Sequence, residues 1–198
     1  MTIAPGTTAF YDDWAVNGQE NPRSAMSKHF EPAFAPGARV LDVGCGKGRD
    51  LAVLLEMGFA AYGLEAHAAM RTQAIQQHPQ LADRISPGAL PDIGQPFGGG
   101  FDGVLCSAVL MHIPDTALPA SFAAFSAVLK PHARLLMAVP EMQANLLVDG
   151  HDPAGRQFTN HGCDRIEGLL AAQGFGLQRR DDLLTSDETH WRVLLFER

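Results

Sequence analysis

Short apolar runs alternate with stretches of helical period along most of this chain. RVLDV (39–43) is apolar almost throughout, as a buried strand would be, and RDLAVLLEMG (49–58) then repeats apolar residues at helical spacing up to Gly58, a natural stop. AAYGLE (60–65) reads as a second strand. HAAMRTQAIQQH (67–78) reads as a helix with Met70, Ala74 and Ile75 on one face, and DRISPGAL (83–90) holds a short third strand. After the turn-rich PDIGQPFGGG (91–100), FDGVLCSAVL (101–110) is continuous enough for a strand covered on both faces. TALPASFAAFSAVLK (116–130) predicts a helix with Leu118, Phe122, Phe125 and Leu129 in one stripe, stopped by Pro131. ARLLMAVP (133–140) is a strand, and CDRIEGLLAAQG (163–174) a helix closed by Gly174. FGLQRRDDL (175–183) and HWRVLLFER (190–198) have only a polar turn between them, so they pair as a hairpin and the last strand runs antiparallel.

Strand–helix alternation of this kind specifies an α/β domain. We expect a Rossmann-like, mostly parallel, seven-stranded sheet with helices on both faces and an antiparallel C-terminal strand. The whole chain, 1–198, reads as one domain. Residues 37–140 form a ligand-binding core and 163–198 a closing helix and strand pair. Two segments fall outside the alternation: an N-terminal helical cap (1–36) and a long loop (141–162). Both are placed to cover the carboxyl ends of the strands, where open α/β sheets bind ligands.

Composition narrows the partners. The net charge is −7 with only three lysines, and no basic stripe gathers anywhere, so a nucleic-acid footprint is missing. No apolar run is long enough to span a membrane, and the first residues lack the basic and apolar regions of a secretory signal. Cys45, Cys106 and Cys163 are odd in number and have no C-x-x-C among them, which suits free thiols in a reducing, cytoplasmic setting. The histidines form no H-E-x-x-H or similar set, so no metal is expected. The oligomeric state is not encoded in any pattern.

The chemistry concentrates in VLDVGCGKGRD (40–50). Gly44, Gly46 and Gly48 follow a strand and open a helix, where a ligand can touch backbone that carries no Cβ. Glu65 ends the next strand, 21 residues after Gly44, and a carboxylate there can accept both hydroxyls of an adenosine ribose. The dinucleotide fingerprint would need glycine at 49, which is Arg49, and Asp42 places a carboxylate where a pyrophosphate would be repelled. The ammonium and sulfonium of S-adenosylmethionine suit that acid. A nicotinamide-dependent reductase and a non-catalytic module that only binds S-adenosylmethionine stay as alternatives.

VLDVGCGKGRD, GLEAHAAM, FDGVLCSAVLMHIP and LKPHARLLMAVP together resemble the Rossmann-like class I S-adenosylmethionine-dependent methyltransferases, most of all the bacterial branch acting on small molecules. The resemblance implies that Asp42, Gly44, Cys45, Gly46 and Gly48 line the methionine part of S-adenosylmethionine, whose product is S-adenosylhomocysteine. It implies that Glu65 holds the ribose and that Ala66 follows along the adenine wall. The family commonly presents an acid to the adenine amino group after the third strand. Here Ala89 stands in that place, with Leu90 beside it as a hydrophobic wall or a backbone N–H. Tyr11 would fold over the cofactor, or, with Phe10 and Trp14, anchor a helix to the core. Ser107, Met111 and His112 would face the cofactor and the acceptor, while alternation turns Cys106 into the core. His112 is the candidate base, with a structural bond to a loop carbonyl as its alternative. In the long loop, His151, Arg156 and His161 are the polar groups that can meet an acceptor. Arg156 suits a carboxylate or phosphate, or else pairs with Asp149 or Asp152. The acceptor itself is not readable from any motif.

Overall fold

In a computed structural model of the chain, residues 3–19, 24–185 and 188–198 are described. Residues 1–2 and 20–23 of the expected cap lie outside that set, as do 186–187 in the expected final turn.

Seven strands form one sheet: β1 (Arg39–Val43), β2 (Ala60–Glu65), β3 (Ile85–Pro87), β4 (Phe101–Ser107), β5 (Leu129–Met142), β6 (Gly176–Thr185) and β7 (Thr189–Glu197). Their order is β3-β2-β1-β4-β5-β7-β6. The first five pair in parallel, and β7 alone runs antiparallel, between β5 and β6. The chain therefore moves outward from β1 to β3, then returns to lay β4 on the other side of β1. That reversal opens a crevice at the carboxyl ends of β1 and β4.

Alternation along each strand divides the core in two. Leu41, Val43, Val104, Cys106, Leu135 and Met137 point to one face, where they meet Phe122, Phe125, Ile166 and Leu170. Those four come from α5 (Leu118–Val128) and α6 (Cys163–Ala171). Val40, Leu105, Leu136 and Ala138 point to the other face, against Phe30, Ala33, Leu51 and Leu54. These belong to α2 (Phe30–Ala33) and α3 (Arg49–Glu56). Cys106 is a core residue, as alternation requires.

Two of the boundaries that differ from the sequence reading matter for the site. α5 ends at Val128, and Leu129 already belongs to β5, opposite Phe101. Leu129 stays buried as its stripe demanded, but as a strand residue that joins the ladder before Pro131 is reached. β4 stops at Ser107 because Ala108 takes φ 59°, and a single 3-10 turn, Leu110–His112, follows. That early turn lifts His112 off the sheet axis.

The cap contains α1 (Pro5–Asn17), which lies against α4 (Ala68–Gln77). Along α4, Met70 and Ala74 are buried and Ile75 is half-buried. No helix among the described residues is long and apolar enough to cross a membrane.

Candidate active site

The glycine loop begins where β1 ends. Gly44, Gly46 and Gly48 all have positive φ (77°, 57° and 81°), a conformation that L side chains rarely adopt. The three serve different neighbours. A Cβ on Gly44 would lie 2.4 Å from a methyl of Val109, and one on Gly48 would lie 2.5 Å from Leu81. Gly46 has only the Met70 methyl, 3.5 Å from where its Cβ would be, so it faces open space. Gly48 is thus a packing glycine, and Gly46 presents bare backbone to the cleft.

Four of the loop's N–H groups are already engaged. Those of Gly44 and Cys45 donate to the Leu64 carbonyl at 2.8 and 3.0 Å, and that of Gly48 donates to Cys45. Gly46 N–H donates to Glu65 Oε2 at 2.9 Å, and His67 N–H donates to Glu65 Oε1 at 2.8 Å. A pyrophosphate needs such donors free. A ribose needs acceptors, and each Glu65 oxygen keeps lone-pair capacity for a hydroxyl. Arg71 fixes the same corner by donating to the carbonyls of Glu65 and Ala66.

Above this corner opens a cleft. Its walls include Gly44, Gly46, Glu65, Ala66, Ala89, Leu90, Tyr11 and His112, eight of the residues expected from sequence. Ile3, Thr7, Val43, His67, Met70, Gly88, Ala108, Val109 and Ile113 complete it. Four of these, His67, Gly88, Ala108 and Val109, sit one or two residues past a strand end, which is the signal that would have found them.

Several expected residues are not on the wall. Cys45 is buried, with its sulfur where a Gly63 Cβ would be, so it packs the core. Ser107 ends β4 half-buried, and Met111 is buried with its carbonyl accepting Thr159 N–H. Asp42 is buried with Oδ2 lacking a partner. Burial first, then the carboxylates of Asp50 and Glu65, raise its pKa well above the usual carboxylate value, against a smaller pull from Arg49. The unpartnered Asp42 oxygen is buried beside the loop, off the cleft wall.

The long loop also takes a different position from the expected one, since no residue of 141–162 lines the cleft. Its polar groups are used elsewhere. His151 is exposed and bonds the Asp149 carbonyl. Arg156 donates from Nε to Asp152 at 2.7 Å, with a second contact of 2.6 Å, and its guanidinium lies 4.5 Å over the Phe10 ring. It is therefore committed to a turn and to α1. His161 is buried between Asp115 and the Leu110 carbonyl, bracing the turn that carries His112.

His112 and Tyr11 meet at the far end of the cleft. Tyr11 Oη lies 2.8 Å from His112 Nε2, and His112 Nδ1 lies 2.6 Å from the Gln157 carbonyl. The N–H of Gln157 donates to Thr7 of α1 at 2.9 Å. Burial lowers the His112 pKa to about 4, so the ring is neutral at ordinary pH. Burial likewise raises the Tyr11 pKa, partly opposed by the nearby Arg156.

Known proteins share this plan. The profile of a methyltransferase domain family matches residues 14–183. The ubiquinone biosynthesis O-methyltransferase of Xanthomonas axonopodis pv. citri (strain 306) is 30% identical over 142 residues, covering 63% of this chain and 54% of that protein. The chain thus spans about half the length of that relative. The magnesium protoporphyrin IX methyltransferase of Synechocystis PCC 6803, with bound S-adenosylmethionine, superposes at TM-score 0.70 with 18% identity, covering 100% of this chain and 99% of that one. The 1,6-didemethyltoxoflavin-N1-methyltransferase of Burkholderia thailandensis, with its acceptor and S-adenosylhomocysteine bound, gives 0.73 with 22% identity, covering 96% and 84%. At such identities the structural likeness speaks for the fold, and the profile speaks for the family. With a glycine loop that offers backbone rather than phosphate donors and a ribose-ready Glu65, the chain belongs to the methyltransferase domain family, built on the Rossmann-like fold of S-adenosylmethionine-dependent enzymes.

Proposed function

We propose that this chain moves a methyl group from S-adenosylmethionine to a small-molecule acceptor. The observation that carries the reading is the corner where Glu65 binds the N–H groups of Gly46 and His67 and still faces the cleft. Glu65 would accept the ribose hydroxyls, and Gly44 and Gly46 would lie along the methionine part. Ala66, Met70, Ala89 and Leu90 would wall the adenine, all of them cleft residues. S-adenosylmethionine supplies a methyl already activated on a positive sulfur. The protein's own work is to align the acceptor, exclude water and accept a proton where one must leave.

α1 supports the water-excluding part. Thr7 and Tyr11 lie on the cleft, and Lys47 of the glycine loop donates to the Gly18 carbonyl at 2.8 Å, pinning the end of α1 to the loop. The relative's O-methyltransferase activity and the toxoflavin enzyme's small heterocyclic acceptor agree in kind with a small acceptor. Arg156, the residue suited to an acidic acceptor, is paired with Asp152 and lies beside the Tyr11 hydroxyl.

The test is a screen of small acceptors with S-adenosylmethionine, read as S-adenosylhomocysteine release and confirmed by the mass of the product. The expected result is one acceptor class gaining the mass of a methylene. Tight S-adenosylhomocysteine binding with no turnover across phenols, amines, thiols and carboxylates would instead make the chain a binding module.

A further inference from the structure

His161, near the end of the long loop, has a side chain with no exposed surface, and both of its ring nitrogens are engaged. Nδ1 lies 2.9 Å from Asp115 Oδ1, and Nε2 lies 2.8 Å from the Leu110 carbonyl. A carbonyl only accepts a hydrogen bond, and so does a carboxylate. Each nitrogen must therefore carry a hydrogen, and an imidazole with two N–H groups is a cation. A flipped ring would put carbon at both positions and satisfy neither oxygen. His112, on the turn that His161 touches, is the opposite case. Its Nδ1 faces a carbonyl, but its Nε2 faces a hydroxyl, which can donate, so one ring hydrogen is enough.

We infer that His161 is a positioning residue for methyl transfer: a buried imidazolium that ties the turn carrying His112 to the turn that leads into α5. This rests on the methyl-transfer reading. The two turns, Leu110–His112 and Asp115–Ala117, follow β4 one after the other. Three bonds from one short segment hold the first. The Gln157 carbonyl accepts from His112 Nδ1 at 2.6 Å, the Thr159 N–H donates to the Met111 carbonyl at 2.8 Å, and His161 Nε2 donates to the Leu110 carbonyl. The last of these continues through the ring to Asp115 and the second turn. His112 and Ile113 are on the cleft wall. The long loop thus sets the acceptor end from behind, without lining it.

The charge fits its surroundings and makes the tie depend on pH. Asp115 is half-exposed, and Arg165 of α6 brings Nη2 within 3.4 Å of the oxygen that His161 uses. Those are the charged groups at the ring. Glu141, at the end of β5, approaches the neighbouring Gly162, and Cys163 begins α6 beside it. A buried ion pair is costly to break from one side, because the group left behind is unpaired. When the ring loses a proton, one nitrogen turns a lone pair toward an oxygen and that bond is lost. Either loss uncouples the two turns. The tie is therefore present at lower pH and released as pH rises.

The experiment is NMR of the histidine rings in the full chain, with S-adenosylhomocysteine binding as the check on folding. At neutral pH the His161 ring should show two protonated nitrogens with slowly exchanging hydrogens. A neutral ring with one protonated nitrogen would overturn the inference. As pH is raised until His161 loses one hydrogen, the His112 Nδ1 signal should shift in step. His112 cannot cause that shift by its own titration, because burial lowers its pKa to about 4. In His161→Gln the response should vanish, while S-adenosylhomocysteine affinity stays within about twofold, since the Glu65 corner is untouched. A His112 signal that ignores the state of His161 overturns the positioning role, and the wild type alone decides this if the variant fails to fold. With an acceptor found by the screen, kcat should fall about tenfold to a hundredfold across the same titration, with the KM for S-adenosylmethionine unchanged. A kcat indifferent to that titration overturns the link to the reaction. Wild-type chain that binds no S-adenosylhomocysteine would instead sink the methyl-transfer reading, a separate failure.

Discussion

At the Glu65 end of the cleft, the corner is tied by backbone N–H groups bonding to near neighbours in the chain, the longest such step being the 20 residues from Gly44 to Leu64. At the His112 end, Tyr11 reaches across 101 residues, Gln157 across 45 to His112, and Thr7 across 150 to Gln157. The first end is backbone locked at positive φ on the rim of the sheet. The second is a helix and a turn held together by individual side chains. A site assembled this way can have one rigid half and one that opens, which a cofactor that must enter and leave beneath α1 requires.

The comparison predicts where substitutions bite. Gly44→Val should be the most damaging. Its branched side chain meets Val109, the φ of 77° is strained for it, and S-adenosylhomocysteine binding should fall by about a hundredfold or more in calorimetry. Glu65→Ala should cost about 2–3 kcal/mol of the same affinity, because ribose hydroxyls and two backbone N–H groups lose their acceptor. If either variant bound normally, the rigid end would not be the cofactor end.

The α1 half predicts smaller and different effects. In Gly6→Ala, the new Cβ would lie 2.6 Å from the Gly155 carbonyl and push α1 from the turn. Amide exchange in α1 should quicken several-fold, while that of β1 and β4 stays unchanged. Uniform loss of protection would mean that the two halves are one cooperative unit.

The smallest effect is on pH. The folded pKa of His112, about 4, lies below the ordinary value of 6.5. Below 6.5 the unfolded chain takes up a proton that the folded chain refuses, so stability falls as pH drops from 6.5 toward 4. Above that window His112 contributes no pH dependence. Chemical unfolding of wild type and His112→Gln across this range should show the wild-type decline shallower in the variant. Parallel declines would assign the acid sensitivity elsewhere.

The same contrast explains what could be read from the sequence. The mostly parallel seven-stranded sheet, the antiparallel last strand and the Gly44–Glu65 corner follow from periodicity and from residues close in the chain, so all were legible. Asp42 and Cys45 were drawn to the cofactor by the motif they belong to, yet both are buried off the cleft wall, because alternate residues of a strand and its loop face opposite ways. Arg156 carried two readings, and the ion pair with Asp152 is the one realised. The partnership of Tyr11 with His112 was invisible, since nothing local records that a helix near residue 11 folds over a turn near residue 112. His67 and Met70 were missed for a simpler reason: the helix start they occupy was read for its packing, not for what it overlooks.

The account stands or falls on what the Glu65 corner accepts. Titration calorimetry of the wild-type chain with S-adenosylhomocysteine and, separately, with NADH tests it directly. The account predicts saturable one-to-one binding of S-adenosylhomocysteine and no heat from NADH, whose pyrophosphate would find the N–H groups of Gly44, Cys45, Gly46 and Gly48 already donated. Saturable NADH binding with no S-adenosylhomocysteine signal would contradict it.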